Sequence, residues 1–491
     1  MFQHIKRLTQ HSLVYGIGHI VSRTIGFLLL PVHTNVLNAA QYGSATLLFS
    51  SLAILNVVFT YGMDVAFLRF YTLEDSEEAR KKIFSAAWWM ILFTGWMFAA
   101  VLMIFAPFFS GLIFDTPAYP SLIRLAAGIL LSDALCLLPF MVLRADEKSG
   151  LFIALKLVNV ILNLGMNVLF VVVLRKGVSG VFISNLVASL FTLCALMPVA
   201  VSLIRFTVDR ARLKELLHFG LPYVPSGLAL LVMDQINRFF LDRMIGKEAT
   251  GIFSASYKLG MFMALIIAAF RFAWHPFFLS TARQNDAPRI FARILTYFVM
   301  TTGWFFLAVS YFLPEIIRLK PFGVRLFGEA YVRGVSIVPV ILLAYIAYGL
   351  YVNFIVGVYL KKKTGYLPLV TGLGAVVSLI ANQLLIGPFR LQGAAWATFS
   401  AYSVMAAGLY IISQKLYPIP YEGRRLGIIV MVTGLYYMAG TVLLDESAWT
   451  LRLLLILSEL PVLWILPFFS HSEKGAAIRT MKKMFRGIVH Q

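Results

Sequence analysis

Charge is scarce in this chain. Asp, Glu, Lys and Arg make up 13% of its 491 residues, about half the share of a soluble domain. That scarcity excludes a water-soluble enzyme, and the low polarity excludes a disordered chain. Acidic residues are the scarcer sign, 22 against 42 Lys and Arg. Cysteine is almost absent. Cys136 and Cys194 both sit inside apolar runs, so there is no disulfide framework and no zinc-ligand spacing. Phosphate-binding and hydrolytic signatures are missing too. The chain holds no Gly-x-x-x-x-Gly-Lys-Ser/Thr, no His-Glu-x-x-His and no Gly-x-Ser-x-Gly. A nucleotide-driven motor, a zincin and a nucleophile-elbow hydrolase are thereby excluded. No loop exceeds about 20 residues, so no soluble catalytic domain fits between the apolar segments.

What is present is apolar sequence in long runs. Hydrophobic residues are 60% of the chain, and a bilayer-spanning helix uses about 20 residues. The runs are continuous rather than alternating, which rules out a transmembrane β-barrel. The sequence predicts an all-α polytopic membrane protein with about 14 transmembrane helices. The first seven lie at 12–37, 43–68, 83–110, 120–143, 150–174, 178–204 and 216–241. The others lie at 249–273, 289–313, 333–359, 365–386, 391–413, 425–444 and 449–469. The first run, Leu13–Leu37, is too long and too polar for a signal peptide and reads as a span. With the N-terminus inside, the cytoplasmic segments hold 26 Lys and Arg against 11 Asp and Glu. The outer segments hold 11 and 7. This bias orients both termini to the cytoplasm. Most of the net charge of +20 is therefore topology rather than a nucleic-acid site.

An internal repeat divides the chain. A shift of 215 aligns Lys156 with Thr371, Asn163 with Ser378 and Asn167 with Asn382. Two residues further slipped, Gly180-Val181 meets Gly393-Ala394. Tyr42-Gly43 and Thr250-Gly251 open the second helix of each copy, and Gly16 and Gly220 the first. The expected organisation is an N-lobe at 1–214 and a C-lobe at 215–415, two pseudo-symmetric six-helix lobes around a central cavity. Residues 416–491 add two helices and a basic cytoplasmic tail. Parallel repeats of this kind hold substrate at their interface near the midplane.

Ionisable residues within spans are costly and mark functional interiors. Here they are Arg23, Asp64, Asp133, Lys156, Asp234, Arg238, Lys258, Arg271 and Glu459. Helical geometry places Tyr15, His19, Arg23 and Thr34 on one face, and Lys156, Asn159, Asn163 and Asn167 on another. Such stripes either bond helices together or line a wet cavity, and the Lys156 ammonium favours the cavity. Asp234 and Arg238, four apart, either neutralise each other or open to an anion. Arg271 snorkels to the headgroups. Asp133 and Glu459 are lone acids, either titrating sites or acids capped by a neighbour. A basic cavity suits phosphate or diphosphate, held by Arg and Lys. Without a motor, work must come from an ion gradient, the membrane potential or downstream consumption.

Several stretches resemble a known family. Ser22-Arg23-Thr24-Ile25-Gly26-Phe27 with Leu30-Pro31 and Gln41-Tyr42-Gly43 resembles the opening of polysaccharide-exporting flippases. Asp234 through Arg238-Phe239-Phe240-Leu241 to Gly251-Ile252-Phe253-Ser254-Ala255-Ser256-Tyr257-Lys258 resembles their helix 7–8 signature. Pro276, Leu326-Phe327-Gly328 and Gly393-Ala394-Ala395 fit as well. The chain is similar to the polysaccharide transporter branch of the superfamily that includes multidrug and toxin extruders and the peptidoglycan-precursor flippase. The resemblance implies a V-shaped pair of six-helix lobes, alternating access, and a polyprenyl-diphosphate-linked oligosaccharide moved from inner to outer leaflet. It carries a substrate role to Arg23. Lys156, Arg238 and Lys258 are the expected diphosphate partners. His19, Asn159, Asn163, Asn167 and Asn382 are expected to line the cavity, and Asp133, Asp234 and Glu459 are candidates for H+ or Na+ coupling. A cell-membrane transporter without cofactor or metal is the expectation, in contact with membrane lipids and with polysaccharide polymerase or glycosyltransferases as candidate partners. The alternatives are a cation-coupled small-molecule exporter, the peptidoglycan-precursor flippase, and a membrane glycosyltransferase or polymerase.

Overall fold

The computed structural model describes residues 27–444, 448–469 and 473–475. Among these residues every regular element is helical and there is no strand. The first half holds α1 (Phe27–Val36), α2 (Ala39–Thr60), α3 (Met63–Leu73), α4 (Glu77–Ile104) and α5 (Ala106–Phe114). It continues with α6 (Pro120–Ala145), α7 (Ser149–Asn167), α8 (Gly177–Leu203) and the short α9 (Arg210–Gly220). The second half holds α10 (Val224–Met244), α11 (Lys247–Gly260), α12 (Phe262–Thr281) and α13 (Ala287–Arg318). After it come α14 (Val338–Phe354), α15 (Val356–Leu360) and α16 (Tyr366–Leu416). Two further helices, α17 (Gly423–Met438) and α18 (Trp449–Ile465), follow.

Ten stretches among the described residues are long and apolar enough to cross a bilayer. The protein is thus all-α and polytopic, while the expected count of fourteen separate spans is not established. The first expected span falls mostly outside the described residues. The last two helices have only 16 and 17 residues. Expected spans also break where backbone geometry interrupts them. The second turns at Tyr61-Gly62, both left-handed at φ 34° and 75°, and the third at Phe105.

Local chemistry explains where helices start. Asn38 and Gln41 form a reciprocal capping box on α2, satisfying two of the backbone donors that every helix N-terminus leaves free. Ser76 caps α4, with Glu77 and Glu78 in its first turn, where carboxylates complement the helix dipole. Asp209 accepts from Ala211 and Arg212 to cap α9.

The repeat is visible in close glycine contacts. A Cβ at Gly43 would lie 1.9 Å from the Lys247 carbonyl oxygen, and one at Gly251 would lie 1.9 Å from that of Ala39. Residues 39 and 43 are related to 247 and 251 by one shift, so the contact is reciprocal. A pseudo-two-fold axis therefore passes between α2 and α11 where they cross. The helical hairpins repeat as well. A Cβ at Gly180 would stand 2.9 Å from the Phe170 carbonyl, and one at Gly393 would stand 2.0 Å from that of Leu385. Phe170 and Leu385 are 215 apart, whereas the glycines are 213 apart. The two-residue slip in the repeat thus falls within the hairpin turn. In the second half that turn is abrupt: α16 reverses at Arg390 (φ 52°, ψ −124°), so two expected helices run on without a loop.

Candidate functional site

Polar side chains from both halves meet beside the α2–α11 crossing. The Lys258 ammonium of α11 lies 5.5 Å from the Tyr42 ring centroid of α2, within range of a cation–π attraction. Tyr42 in turn packs its ring against His33 of α1, centroids 5.9 Å apart. The His33 Nε2 lies 2.9 Å from Asn167 Oδ1 of α7. Asn167 Nδ2 donates to the backbone and side-chain oxygens of Asn163, 2.9 Å each. Lys258 is close enough to His33 for their charges to interact. Among the described residues Lys258 has no ion-pair partner. A half-buried ammonium without a carboxylate, beside an aromatic ring and within electrostatic reach of an imidazole, is a setting that accepts an anion.

The repeat breaks at this site. Asn382, the counterpart of Asn167, likewise donates from Nδ2 to the carbonyl of the residue four back, Ser378, at 2.7 Å. Its Oδ1 has no partner among the described residues. The residue related to His33 by the same shift as the glycine crossing is Leu241, which is buried and apolar. Asn382 is fully buried, so the expectation that it lines a cavity does not hold; its amide serves α16 internally. His33 is the residue that sequence reasoning missed. Its signal was a histidine in an apolar run one residue from Thr34, already placed on the polar face of that helix.

A second cluster lies within the second half. The Asp234 carboxylate accepts from Tyr257 (3.0 Å) and Tyr402 (2.8 Å), and Tyr345 donates to Tyr257 at 3.2 Å. Arg238 is buried, but its guanidinium donates to the main-chain carbonyl of Asp234 at 2.5 Å and to Asn237 Oδ1 at 3.1 Å. It also lies 4.8 Å from the Tyr257 ring centroid. The expected carboxylate–guanidinium neutralisation on one helix is therefore replaced. Two phenols from other helices reach the carboxylate, and the arginine takes main-chain and amide oxygens instead. Across the halves, Ser50 of α2 donates to Gln235 of α10 at 2.9 Å.

The remaining candidates are spread apart. Asp133, at the middle of α6, is exposed and accepts from Ser189 of α8 at 2.7 Å. Lys156 of α7 stands 4.0 Å from the Phe140 ring centroid and interacts electrostatically with Asp133. Asn159 donates to Ala188 O (3.1 Å) and Thr192 Oγ1 (2.8 Å), so it bonds α7 to α8. Glu459 of α18 accepts from Thr433 at 3.0 Å and leaves its second oxygen without a partner among the described residues, away from the two-half crossing. Arg271 donates to Tyr348 at 3.1 Å. Arg23 and His19 lie outside the described residues. No group of three or more His, Cys, Asp or Glu suited to a metal occurs among the described residues.

This architecture is the fold of transporters of the MOP superfamily. It is similar to an inward-closed structure of the lipid II flippase MurJ, with a TM-score of 0.70 and 15% identity, covering 92% of this chain and 97% of that one. It is also similar to the Vibrio cholerae MATE transporter VcmN (TM-score 0.59, 15% identity, 84% and 96% covered). An inward-facing multidrug resistance MATE transporter gives a TM-score of 0.60 at 14% identity, with 83% and 96% covered. No curated protein matches the sequence. The chain belongs to the polysaccharide biosynthesis protein family, whose match spans residues 8–282.

Proposed function

We propose that the protein is a flippase for a polyprenyl-diphosphate-linked oligosaccharide, a transporter and not an enzyme, moving its substrate from the inner to the outer leaflet of the cell membrane. The observation that carries this reading is the meeting of Lys258 from one half with Tyr42, His33 and Asn167 from the other. A diphosphate bound there touches both halves, so its binding energy can bias their relative position. Family membership supports a glycan cargo.

In this mechanism the N-lobe is 1–214, the C-lobe 215–415, and 416–491 is an appendage, with both termini cytoplasmic. The diphosphate is held by Lys258, with Arg23 as its expected partner; Arg238 is taken by the Asp234 and Asn237 oxygens and Lys156 stands against Phe140, so neither joins this site. His19 and Asn163 meet the sugar, whereas Asn159 bonds α7 to α8 and the buried Asn167 positions His33. The lipid tail stays in the bilayer between the lobes. The lobes rock, the cavity opens outward and the lipid leaves. Asp133, Asp234 or Glu459 binds the coupling H+ or Na+. Polymerase or glycosyltransferase contact completes the pathway.

Leaflet-resolved detection of the lipid-linked precursor tests this. Cells depleted of the protein should accumulate precursor that a membrane-impermeant reagent cannot reach from outside. Precursor exposed at normal levels would remove the flippase reading. A cation-coupled small-molecule exporter is then the second reading, favoured by the Asp234 carboxylate between Tyr257 and Tyr402. The peptidoglycan-precursor flippase remains the nearest alternative cargo class, on fold similarity alone.

A further inference from the structure

The end of α13 forms a basic cavity whose lining does not include Lys258, His33 or Tyr42. Its volume is about 680 Å3, and its walls include Arg318, Lys320 and Arg325 beside Ile317, Phe327 and Val332. Glu329 is the one carboxylate among the described lining residues, and it is paired with Arg325 at 2.5 Å. Lys320 is exposed and has no ion-pair partner among the described residues. The lining therefore carries a surplus of positive charge next to apolar side chains.

Depth in the bilayer follows from helix length. α13 has 32 residues, about 48 Å at 1.5 Å per residue, against a hydrocarbon core of about 30 Å. Its N-terminal turns carry Arg289 and Arg293, and the stretch from Ile294 to Leu313 carries no charge. That uncharged stretch fills the hydrocarbon core, so Pro314 to Arg318 emerges at headgroup level. The cavity thus opens where lipid phosphates lie.

The cavity wall also touches the other half of the molecule. Asn35 donates to the Arg325 carbonyl at 2.8 Å, Gly328 N donates to Thr34 Oγ1 at 3.0 Å, and Tyr331 donates to the Leu37 carbonyl at 2.8 Å. A ligand on one side of this segment acts on a strut that joins the halves on its other side.

We propose that this cavity binds the phosphate headgroup of an amphiphile. Lys320 and Arg325 hold the phosphate oxygens, and Pro314, Val332 and Val335 cover the first part of its chain. The shared chemistry is a lipid phosphate, whether a resident anionic phospholipid or a prenyl diphosphate. The site is separate from Lys258 and stands without the flippase reading.

The test is equilibrium binding to the full-length protein in a neutral detergent. The probes are short-chain phosphatidylglycerol, farnesyl diphosphate and inorganic diphosphate. Removing one charge-assisted contact weakens binding about tenfold. Lys320→Gln should do so, the double variant with Arg325→Gln about a hundredfold, and Lys320→Arg should retain binding. Both side chains are on the surface, so the variants fold. Inorganic diphosphate should bind more weakly than either amphiphile. Loss of phosphatidylglycerol binding alone identifies the phospholipid, and loss of farnesyl diphosphate binding alone identifies the prenyl diphosphate. Repeating the measurement in Lys258→Gln separates the two sites, because binding here should persist. Amphiphile binding equal in wild type and the double variant overturns the proposal, as does inorganic diphosphate binding as tightly as the amphiphiles.

Discussion

Replacing Gly43 with alanine should force the two halves apart. Its Cβ would lie 1.9 Å from the Lys247 carbonyl oxygen and 3.0 Å from Gly251 N. A carbon–oxygen contact settles at about 3.3 Å, so the backbones must separate by roughly 1.4 Å. Neither neighbour is a side chain that can swing away. Overpacking of this kind costs about 1–3 kcal/mol, which corresponds to about a 5–150-fold shift in a two-state equilibrium. The strain acts only while α2 and α11 are in contact, so it favours the conformation in which they have parted. A single-cysteine reporter reads this. Cys136 and Cys194 are replaced by alanine, and buried Leu37, beside the contact, is replaced by cysteine. Maleimide labelling should accelerate about 5–150-fold in Gly43→Ala. Gly251→Ala should match it, and the pair should be less than additive because both methyls relieve the same contact. Gly427→Ala, whose Cβ would meet nothing within 4 Å, should leave labelling unchanged. Unchanged labelling in both crossing variants would refute the reasoning.

Other outcomes follow from the same geometry. Gly393→Ala should lower thermal stability more than Gly180→Ala, because the blocking carbonyl is 2.0 Å away rather than 2.9 Å; a thermal-shift assay ranks them, and the reverse order contradicts the hairpin reading. Tyr402→Phe removes a hydrogen bond to the Asp234 carboxylate and should destabilise by about 1.5–3 kcal/mol, measured by the same assay. Lys258→Gln should reduce precursor exposure at the outer leaflet at least about tenfold at normal protein level, with Lys258→Arg retaining most of it; full activity of the glutamine variant would remove Lys258 from the site. Glu473→Gln weakens a carboxylate that pairs with Arg425 at 2.6 Å and accepts from Tyr297 at 2.9 Å. A thermal-shift assay should then show a lower midpoint, and an unchanged midpoint would show that the pair does not stabilise the fold.

Much of the candidate site was legible only in fragments. Lys258, Asn163 and Asn167 stand out in sequence because polar groups in apolar helices are costly. Their convergence is not encoded locally, since His33 and Asn167 are 134 residues apart. Spacing also misled where competing partners lie far along the chain. Asp234 and Arg238 sit at the distance that favours an intrahelical pair, yet Tyr257 and Tyr402 arrive from other helices and satisfy the carboxylate first. The Asn stripe splits for the same reason, Asn159 bonding α8 while Asn167 meets His33.

The sequence by itself determined that this is a polytopic helical protein. Burying unbonded peptide groups in lipid is prohibitive, so long apolar runs must become helices. It also revealed the duplication, because the glycines at 43 and 251 and at 180 and 393 are needed wherever two backbones touch. Only the tertiary structure decided which groups face one another. It placed Gly43 against Gly251 on the pseudo-symmetry axis, brought His33 to Asn167 while leaving the Asn382 Oδ1 without a partner among the described residues, and set Lys258 beside Tyr42. Those pairings depend on the crossing of helices hundreds of residues apart, where packing is cooperative and no local pattern specifies the partner.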